Sequence, residues 1–424
     1  MRWLIAERLT VSSIAQFTLI EDAEMDWETL YCPNRQCRYY GLPFRQGCMV
    51  KNGASYGHPQ ALCKACRSSV ALTYGTAYYG LEADSLIFET AVRALAEGNS
   101  IRATARIVQV DKDTVCDWLA RAAHHCRLVM LYRWCNLHVT ECQLDELWGF
   151  VHTKEAHLPY AKIYCETYGD AWVWIAFAPV WRLVLAFVIG KRTQESANLL
   201  LDRVQHVTDD YIPFFTSDQL PEYPAALLHT YGVWVQPERH GNRGRYPNPR
   251  RVPLPALLYA QVVKVRAGSR VRAVKSKVIF GEPPTVAARL AASPVSETIN
   301  TSFVERDNLT QRQSNRRLTR RTNGFSKEIA WFEKQMWLST AYYHLVLPHH
   351  SLRQPLDQPE PTRGTGTPRS WKPVTPAMAA GITDHVWTTT ELLSFRVPVH
   401  FLEQLATLDT LFAPLEQHEL HQGN

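Results

Sequence analysis

The sequence predicts an α/β protein in which a mixed β-sheet domain follows a cysteine-rich segment and a helical segment. Three observations support this prediction. Two closely spaced cysteine pairs lie within residues 29–76, a region with little helical periodicity. Residues 81–127 have helical periodicity, with Gly98 well placed to end the first helix. Strand-like and helix-like segments then alternate over residues 138–345, as expected for a sheet with packed helices.

The remaining segments carry weaker signals. A chain of 424 residues with 46% hydrophobic residues can hold two to four folding units with packed cores. Residues 1–28 are weakly patterned and are taken as an N-terminal extension. Residues 346–376 are rich in proline and predict an extended linker, and residues 377–424 predict a small helical tail of unknown role.

Positive charge is concentrated in two runs. The formal net charge is only +6, but residues 239–281 contain eleven Lys or Arg and no Asp or Glu. Residues 306–327 contain seven basic residues and one acidic residue, Asp307. Either run alone could be a solvated face. Two runs flanking one candidate site favour a polyanionic partner instead.

Cysteine usage and hydropathy predict a cytosolic protein. The ten cysteines lack the even spacing of a disulfide framework, and Met1–Thr10 carries Arg2, Glu7 and Arg8, unlike a secretory signal. The apolar run Ala171–Gly190 has Arg182 at its middle, where a charge costs about 2.5–3.5 kcal/mol in a membrane. Two buried strands joined near Pro179–Arg182 fit this run better, so we expect no membrane association.

The two cysteine pairs predict a structural zinc site in a zinc ribbon. Cys32 and Cys37 are separated by four residues, and Cys63 and Cys66 by two. Such pairs bring four thiolates to one tetrahedral ion, and in a ribbon this small the metal supplies folding energy. Cys48 is an alternative ligand, and four unrelated core thiols are the competing interpretation.

A helix-turn-helix is predicted over Ser100–Ala123. Ser100 is a candidate cap for a helix Ile101–Val108, and a turn through Val110–Asp113 precedes a helix starting at Thr114. Ala105, Val110, Val115 and Trp118 would pack the helices together. The second helix could then enter a major groove, although an ordinary helical hairpin has the same pattern. Its candidate DNA contacts are Lys112, Thr114, Asp117 and Arg121.

Two acidic positions predict one end of a catalytic site. Cys142–Thr153 predicts a strand, along which Asp145 and Glu146 should point to opposite faces, so that only one of them can belong to a given site. Two more strands and a helix follow, and then a short buried strand ends at Ser217–Asp218. A ribonuclease-H-like sheet places its second carboxylate at this point. Asp145 and Asp218 are therefore the predicted pair.

The third acid is predicted on a later helix within Ser296–Phe325. Glu305 and Arg312 are seven residues apart, two turns along one helical face, and Arg316 stays near that face. A carboxylate cluster that binds two Mg²⁺ ions, with Mn²⁺ as an alternative, could cut and rejoin a phosphodiester. Arg312 would position a phosphate. A capping Asp or a solvated Glu is the competing interpretation for each acid alone. Four further arginines would hold the DNA backbone: Arg316, Arg317, Arg320 and Arg321.

These motifs together resemble a known family. The segments GHPQALCKACR, SIRATARIVQVDKDTV, QLDELWGFV, TSD and VERDNLTQRQSNRRLTRRTNGFSK are similar to those of transposases of the insertion-sequence-one family. The resemblance runs over residues 30–343. It implies a DDE-type enzyme on a ribonuclease-H-like fold, with its acidic triad at Asp145, Asp218 and Glu305. The family's basic residue would fall on Arg312.

The resemblance also implies partners, an oligomeric state and a location. It implies binding of double-stranded DNA, both the terminal inverted repeats of an element and target DNA. It also implies at least a homodimer, located in a bacterial or archaeal cytoplasm and associated with the nucleoid.

The chain departs from the family in two respects. Founding members split the DNA reader and the catalytic part across two reading frames, whereas this chain is continuous. Residues 219–304 are long for the family, and their basic part could add strands or a DNA-binding flap. A non-catalytic DNA-binding regulator or domesticated transposase is the main alternative, and a housekeeping nuclease a weaker one.

Overall fold

A small antiparallel sheet opens the described part of the chain. The computed structural model describes residues 26–55, 57–158, 168–239, 246–268, 270–362, 364 and 366–412, so most of the predicted N-terminal extension lies outside it. Strands β1 (Met49–Ser55), β2 (His58–Cys63) and β3 (Ser69–Ala71) pair in the order β1-β2-β3. The small core beneath them includes Leu30, Met49 and the buried cysteines.

Three helices follow, and two of them lie where the helix-turn-helix is predicted. They are α1 (Ser85–Ala96), α2 (Ile101–Val108) and α3 (Lys112–Arg133). The Ser100 side chain caps α2 as predicted. Helix α3 begins at Lys112 and not at Thr114, because the side chain of Asp111 accepts the amide of Asp113. Residues Ala105, Val115 and Trp118 are buried and Val110 is partly buried, as expected for packed helices.

The central sheet has six strands in the order β11-β10-β7-β4-β5-β6. Strands β4, β5 and β6 form an antiparallel meander, β7 and β10 run parallel to β4, and β11 is antiparallel to β10. The prediction of an α/β protein with a mixed sheet is confirmed, and this sheet is compatible with a ribonuclease-H-like domain. Its strands are β4 (Glu141–Val151), β5 (Gly169–Ala178), β6 (Leu183–Gly190), β7 (Phe214–Ser217), β10 (Leu258–Ala267) and β11 (Arg270–Phe280).

The apolar run Ala171–Gly190 is the pair β5 and β6, as predicted. Every residue of β6 is buried, and the turn between the strands contains Arg182 with φ 55°. Among the described residues, no helix has both the length and the apolar character needed to cross a membrane.

Helices pack around this sheet, and the strands β8 and β9 form a separate antiparallel pair against the helix α5. The helix α4 contacts β5 and β6, and α7 contacts β4. The long helix α8 lies between α3 and β6, so helices α2 and α3 share one hydrophobic core with the sheet. The elements are α4 (Gln194–Val207), α5 (Glu222–Tyr231), β8 (Gly232–Val235), β9 (Arg250–Pro253), α6 (Pro283–Ala291), α7 (Ser302–Ser314) and α8 (Ile329–Leu345).

The C-terminal part is more structured than the sequence suggests. Strands β12 (Gln354–Glu360) and β13 (Arg369–Lys372) form an antiparallel pair within the predicted linker, and prolines are tolerated there because a two-stranded edge leaves amides unpaired. Helices α9 (Pro376–Ala379), α10 (Thr389–Ser394) and α11 (Val399–Phe412) follow. Arg396 is buried and donates hydrogen bonds to the carbonyl oxygens of Leu72 and Tyr74. The tail therefore joins the cysteine-bearing sheet to the helices.

Candidate metal centres

Four cysteine sulfurs converge beside the small sheet. The Sγ atoms of Cys32, Cys37, Cys63 and Cys66 all lie within 4.8 Å of one another. The Cys32–Cys66 pair is 3.5 Å apart and the Cys37–Cys63 pair 3.8 Å. A tetrahedral zinc ion with Zn–S bonds of about 2.3 Å needs sulfurs about 3.8 Å apart. The four predicted cysteines therefore fit one zinc ion in both donor type and spacing.

Cys48 does not belong to this group. It is partly buried and packs against the small core, while its carbonyl oxygen accepts the amide of Lys64. The nine described cysteines, Cys48 included, form no disulfide. The alternative in which Cys48 replaces one of the four ligands gains no support.

Three carboxylates converge at one end of the central sheet. Oxygens of Asp145, Glu146 and Asp218 lie within 4.8 Å of one another. The prediction that Asp145 and Glu146 cannot share a site was wrong. The last pair between β4 and β7 is Gln143 with Thr216, so β4 continues beyond the end of β7. Asp218, just past that end, lies beside the part of β4 that β7 does not pair with, where its carboxylate meets those of Asp145 and Glu146.

Burial and mutual repulsion raise the pKa of two of these groups. Burial raises the pKa of Asp145 to about 6, and the negative charges of Asp218 and Glu305 add to the effect. Burial likewise raises the pKa of Glu146 to about 7, with further contributions from Asp218 and Asp145. One arginine, Arg192, lies 3.0 Å from Glu146. The cluster therefore has more negative charge than its cations neutralise, a condition that a bound cation would relieve.

Two buried oxygens near the cluster have no hydrogen-bond partner among the described residues. They are Oε1 of Glu146 and Oδ1 of Asn308. The amide nitrogen of Asn308 is 2.6 Å from Oδ2 of Asp145 and donates to it. Hard oxygen donors that lack partners are the ligands Mg²⁺ prefers, so the residues present fit a divalent cation.

Glu305 lies beside this cluster but is not one of its three members. Its Oε1 accepts hydrogen bonds from Nζ of Lys264, at 2.6 Å, and from Oγ1 of Thr301, at 3.0 Å. Its charge nevertheless raises the pKa of Asp145. The structure thus brings together Asp145 and Asp218 as predicted, adds Glu146, and leaves Glu305 paired with a lysine.

The first turn of α7 is attached to β4 by Gln143. Its Oε1 accepts the amides of Phe303 and Val304, two of the donors that a helix start leaves unpaired. Its Nε2 donates to the backbone and side-chain oxygens of Asn300. Because Glu305 lies in the same turn, this one buried glutamine fixes the helix end that carries the third predicted acid.

Arg312 is bound to backbone oxygens. It lies on α7 with Glu305, as predicted, and donates to the carbonyl of Trp148 at 3.2 Å and to that of Leu318 at 2.6 Å. Burial lowers its pKa. The guanidinium therefore joins α7 to β4, which is a structural contact that the prediction of a phosphate-positioning role did not anticipate.

The arginines after α7 do not continue its face. The helix ends at Ser314, and Asn315 caps a new 3-10 turn, so Arg316 is not on the face of Glu305 as predicted. Arg316 donates to the carbonyl of Gly98, and Arg317 to the hydroxyl of Ser326. The other two predicted DNA contacts, Arg320 and Arg321, are exposed.

The predicted groove-facing residues of α3 differ in their exposure and in their contacts within the protein. Lys112 and Asp117 are exposed, Thr114 is half-buried, and Lys112 pairs with its neighbour Asp113. Arg121 instead donates to the carbonyl oxygens of Ala77, Tyr79 and Gly80. That arginine attaches α3 to the preceding loop.

No protein-family model matches this chain, and no curated protein matches it either. The assignment of a function therefore depends on the site itself. Sequence reasoning missed four of its residues: Gln143, Glu146, Lys264 and Asn308. Glu146 and Gln143 flank the predicted Asp145 within two residues, and the adjacent acidic pair within a strand was the one signal that could have identified Glu146.

Proposed function

We propose that this chain is a DDE-type DNA transposase on a ribonuclease-H-like fold. The observation that carries the proposal is the convergence of Asp145 and Glu146, in the middle of β4, with Asp218, which follows the end of β7 and lies more than 70 residues further along the chain. The strand order supports it, since an antiparallel meander followed by parallel strands on the side of its first strand is the sheet expected of that fold.

The donor set supports metal-dependent phosphodiester chemistry. Asp145, Glu146 and Asp218 would hold Mg²⁺, and Glu305 would join them as the fourth carboxylate. The metal, when bound, supplies activation of a water or 3′-hydroxyl and neutralises the leaving oxygen. The chain's own residues do the positioning: Gln143 fixes the start of α7, and Asn308 orients the carboxylate of Asp145 through its amide.

The DNA-reading part of the proposal is supported by the two N-terminal units. The four cysteines would hold a structural Zn²⁺, and the helix-turn-helix would read the terminal repeats through the start of α3. The proposed assembly is at least a dimer, because two element ends must be held together during strand transfer. The proposed location is the bacterial or archaeal cytoplasm, where the DNA lies.

The test is a cleavage and strand-transfer assay on a duplex carrying the element's own ends. Asp145→Asn, Asp218→Asn and Glu305→Gln should each abolish Mg²⁺-dependent nicking and joining while binding of the duplex is retained. Asp357→Asn, on the exposed strand β12, is the matched control and should keep full activity. Full activity in any of the three site variants would refute the assignment of that residue.

The same assay separates the alternatives. A wild-type protein that binds the ends without nicking them in Mg²⁺ would indicate a DNA-binding regulator. Nicking without any joined product would indicate a nuclease. Joined products that depend on the three carboxylates are expected only of the proposed transposase.

A further inference from the structure

The hairpin formed by β10 and β11 continues well beyond the central sheet. The root of β10, Leu258–Val262, is buried, whereas every described residue from Lys264 to Lys277 is exposed. Pairing nevertheless continues along the exposed part, from Lys264 with Val274 to Ala267 with Arg270. We call residues 264–277 the β-arm. A two-stranded ribbon solvated on both faces buries little apolar surface, so it is an unusual element unless something binds it.

The β-arm is strongly basic. It contains no acidic residue, and three of its valines are exposed, so it presents aliphatic surface between the charges. Only Lys264 forms an ion pair with another described residue. A surface of one sign, with aliphatic contacts interleaved, is complementary to a polyanion. Its six cationic residues are Lys264, Arg266, Arg270, Arg272, Lys275 and Lys277.

The register distributes these cations over both faces of the β-arm. Lys275 pairs with Val263 and Lys277 with Gln261, so both lysines lie on one face. Lys264 lies on the other. A register shift between Val265 and Arg266 leaves Arg272 without a cross-strand partner, as in a β-bulge that redirects a side chain. The charges can therefore follow a curved chain of phosphates.

The β-arm begins beside the acidic cluster. The last pair between β10 and β7 is Gln261 with Ser217, so β10 leaves the sheet at the end where Asp218 follows β7. Immediately beyond, Nζ of Lys264 lies 2.6 Å from the carboxylate of Glu305. The ribbon thus extends away from the carboxylates, and a duplex lying along it would pass the cluster.

We propose that the β-arm is a second DNA-binding surface, which binds the phosphate backbone of the duplex next to the carboxylate cluster. This rests on the proposed function only for the identity of the polyanion. A two-stranded β-ribbon fits within a major groove, and its lysines and arginines would neutralise phosphates without reading bases. The contact is therefore independent of sequence, in contrast to the reading expected of α3.

The test measures how DNA affinity depends on salt. The full chain, loaded with Zn²⁺, is titrated against a fluorescent mixed-sequence duplex of about 40 base pairs from 50 to 200 mM salt. The variants are Lys275→Gln with Lys277→Gln, and Arg266→Gln with Arg272→Gln. The control is Arg353→Gln with Lys372→Gln around the other exposed hairpin, β12–β13, which carries charges of both signs.

Each β-arm double variant should lower the slope of log K against log salt by about 1.8, since each lost phosphate contact removes about 0.9. Between 50 and 200 mM salt the wild type then loses about twelvefold more affinity than the variant. The control should keep the wild-type slope. Because the substituted side chains are exposed, thermal melting should be unchanged in all three.

A wild-type slope in both β-arm variants would overturn the proposal. If those variants also lost binding of poly-glutamate, the β-arm would instead be a docking surface for an acidic protein. Failure of the proposed function is a separate outcome. If the chain never nicks DNA but the β-arm variants lower the slope, the β-arm inference stands and the proposed enzyme activity is refuted.

Discussion

The substitution Glu146→Gln tests whether the cluster is built for a cation. Glu146 has its pKa raised to about 7 from an ordinary value of 4.5. An acid with a raised folded-state pKa stabilises the fold least at high pH, because stability is lost as the pH rises from the unfolded to the folded value. A shift of about 2.5 units corresponds to about 3 kcal/mol at pH 8, and to less than about 1 kcal/mol at pH 5.

Glutamine keeps the shape and an oxygen that can accept the hydrogen bond from Arg192, but it cannot ionise. In Mg²⁺-free buffer, the variant should therefore unfold at higher urea concentration than the wild type at pH 8, with a difference of up to about 3 kcal/mol. At pH 5 the two should nearly coincide. Asp357→Asn, an exposed substitution on β12, should follow the wild type at both values of pH.

Adding Mg²⁺ should narrow this difference. At a free concentration ten times the dissociation constant, the wild type should gain about 1.4 kcal/mol. The variant, with one ligand removed, should gain less than half of that. Equal stability of variant and wild type at pH 8 without Mg²⁺ would contradict the claim of uncompensated charge, and equal gains with Mg²⁺ would show that Glu146 holds no metal.

Two further predictions concern the elements around the cluster. Cys63→Ser should lower the bound zinc, measured by atomic absorption, from one ion per chain to much less, and should make the small sheet more sensitive to proteolysis. Cys48→Ser, the control, should change neither the zinc content nor the proteolysis. Full zinc occupancy in Cys63→Ser would reject the four-cysteine site. Gln143→Leu should destabilise the chain by about 1–3 kcal/mol, because it leaves two buried amides of α7 unpaired. It should also slow cleavage more than it weakens DNA binding, and an unchanged cleavage rate would show that the start of α7 need not be fixed.

Local patterns predicted most of the elements correctly. The cap at Ser100 and the pair β5 and β6 follow from side-chain chemistry that acts over a few residues, and the structure has them where the sequence placed them. The start of α3 moved by two residues because Asp111 is also a good cap. The strands β12 and β13 were missed because proline-rich segments are usually unpaired, and only their mutual pairing makes them strands.

The site was predicted less completely, and the reason is the relative length of two strands. Alternation along β4 correctly separates Asp145 from Glu146, but it says nothing about where the neighbouring strand ends. Strand β7 has four residues and β4 has eleven. The acidic pair on β4 therefore lies beyond the residues that pair with β7, and beside Asp218. Strand length depends on tertiary packing, which a pattern of residue types does not encode.

Counting charges in the sequence also overestimates the surface available to DNA. In the run of residues 306–327, Arg312, Arg316 and Arg317 donate to oxygens within the protein and hold α7 and the following turn in place. In the β-arm, by contrast, only Lys264 is paired with an acid among the residues that the structure describes, and the other cations are exposed on a ribbon with no acidic neighbour in sequence. The two runs therefore differ: in the first, three of the seven cations are bound to oxygens within the protein, whereas in the β-arm five of the six form no ion pair with a described residue and are exposed to a phosphate backbone.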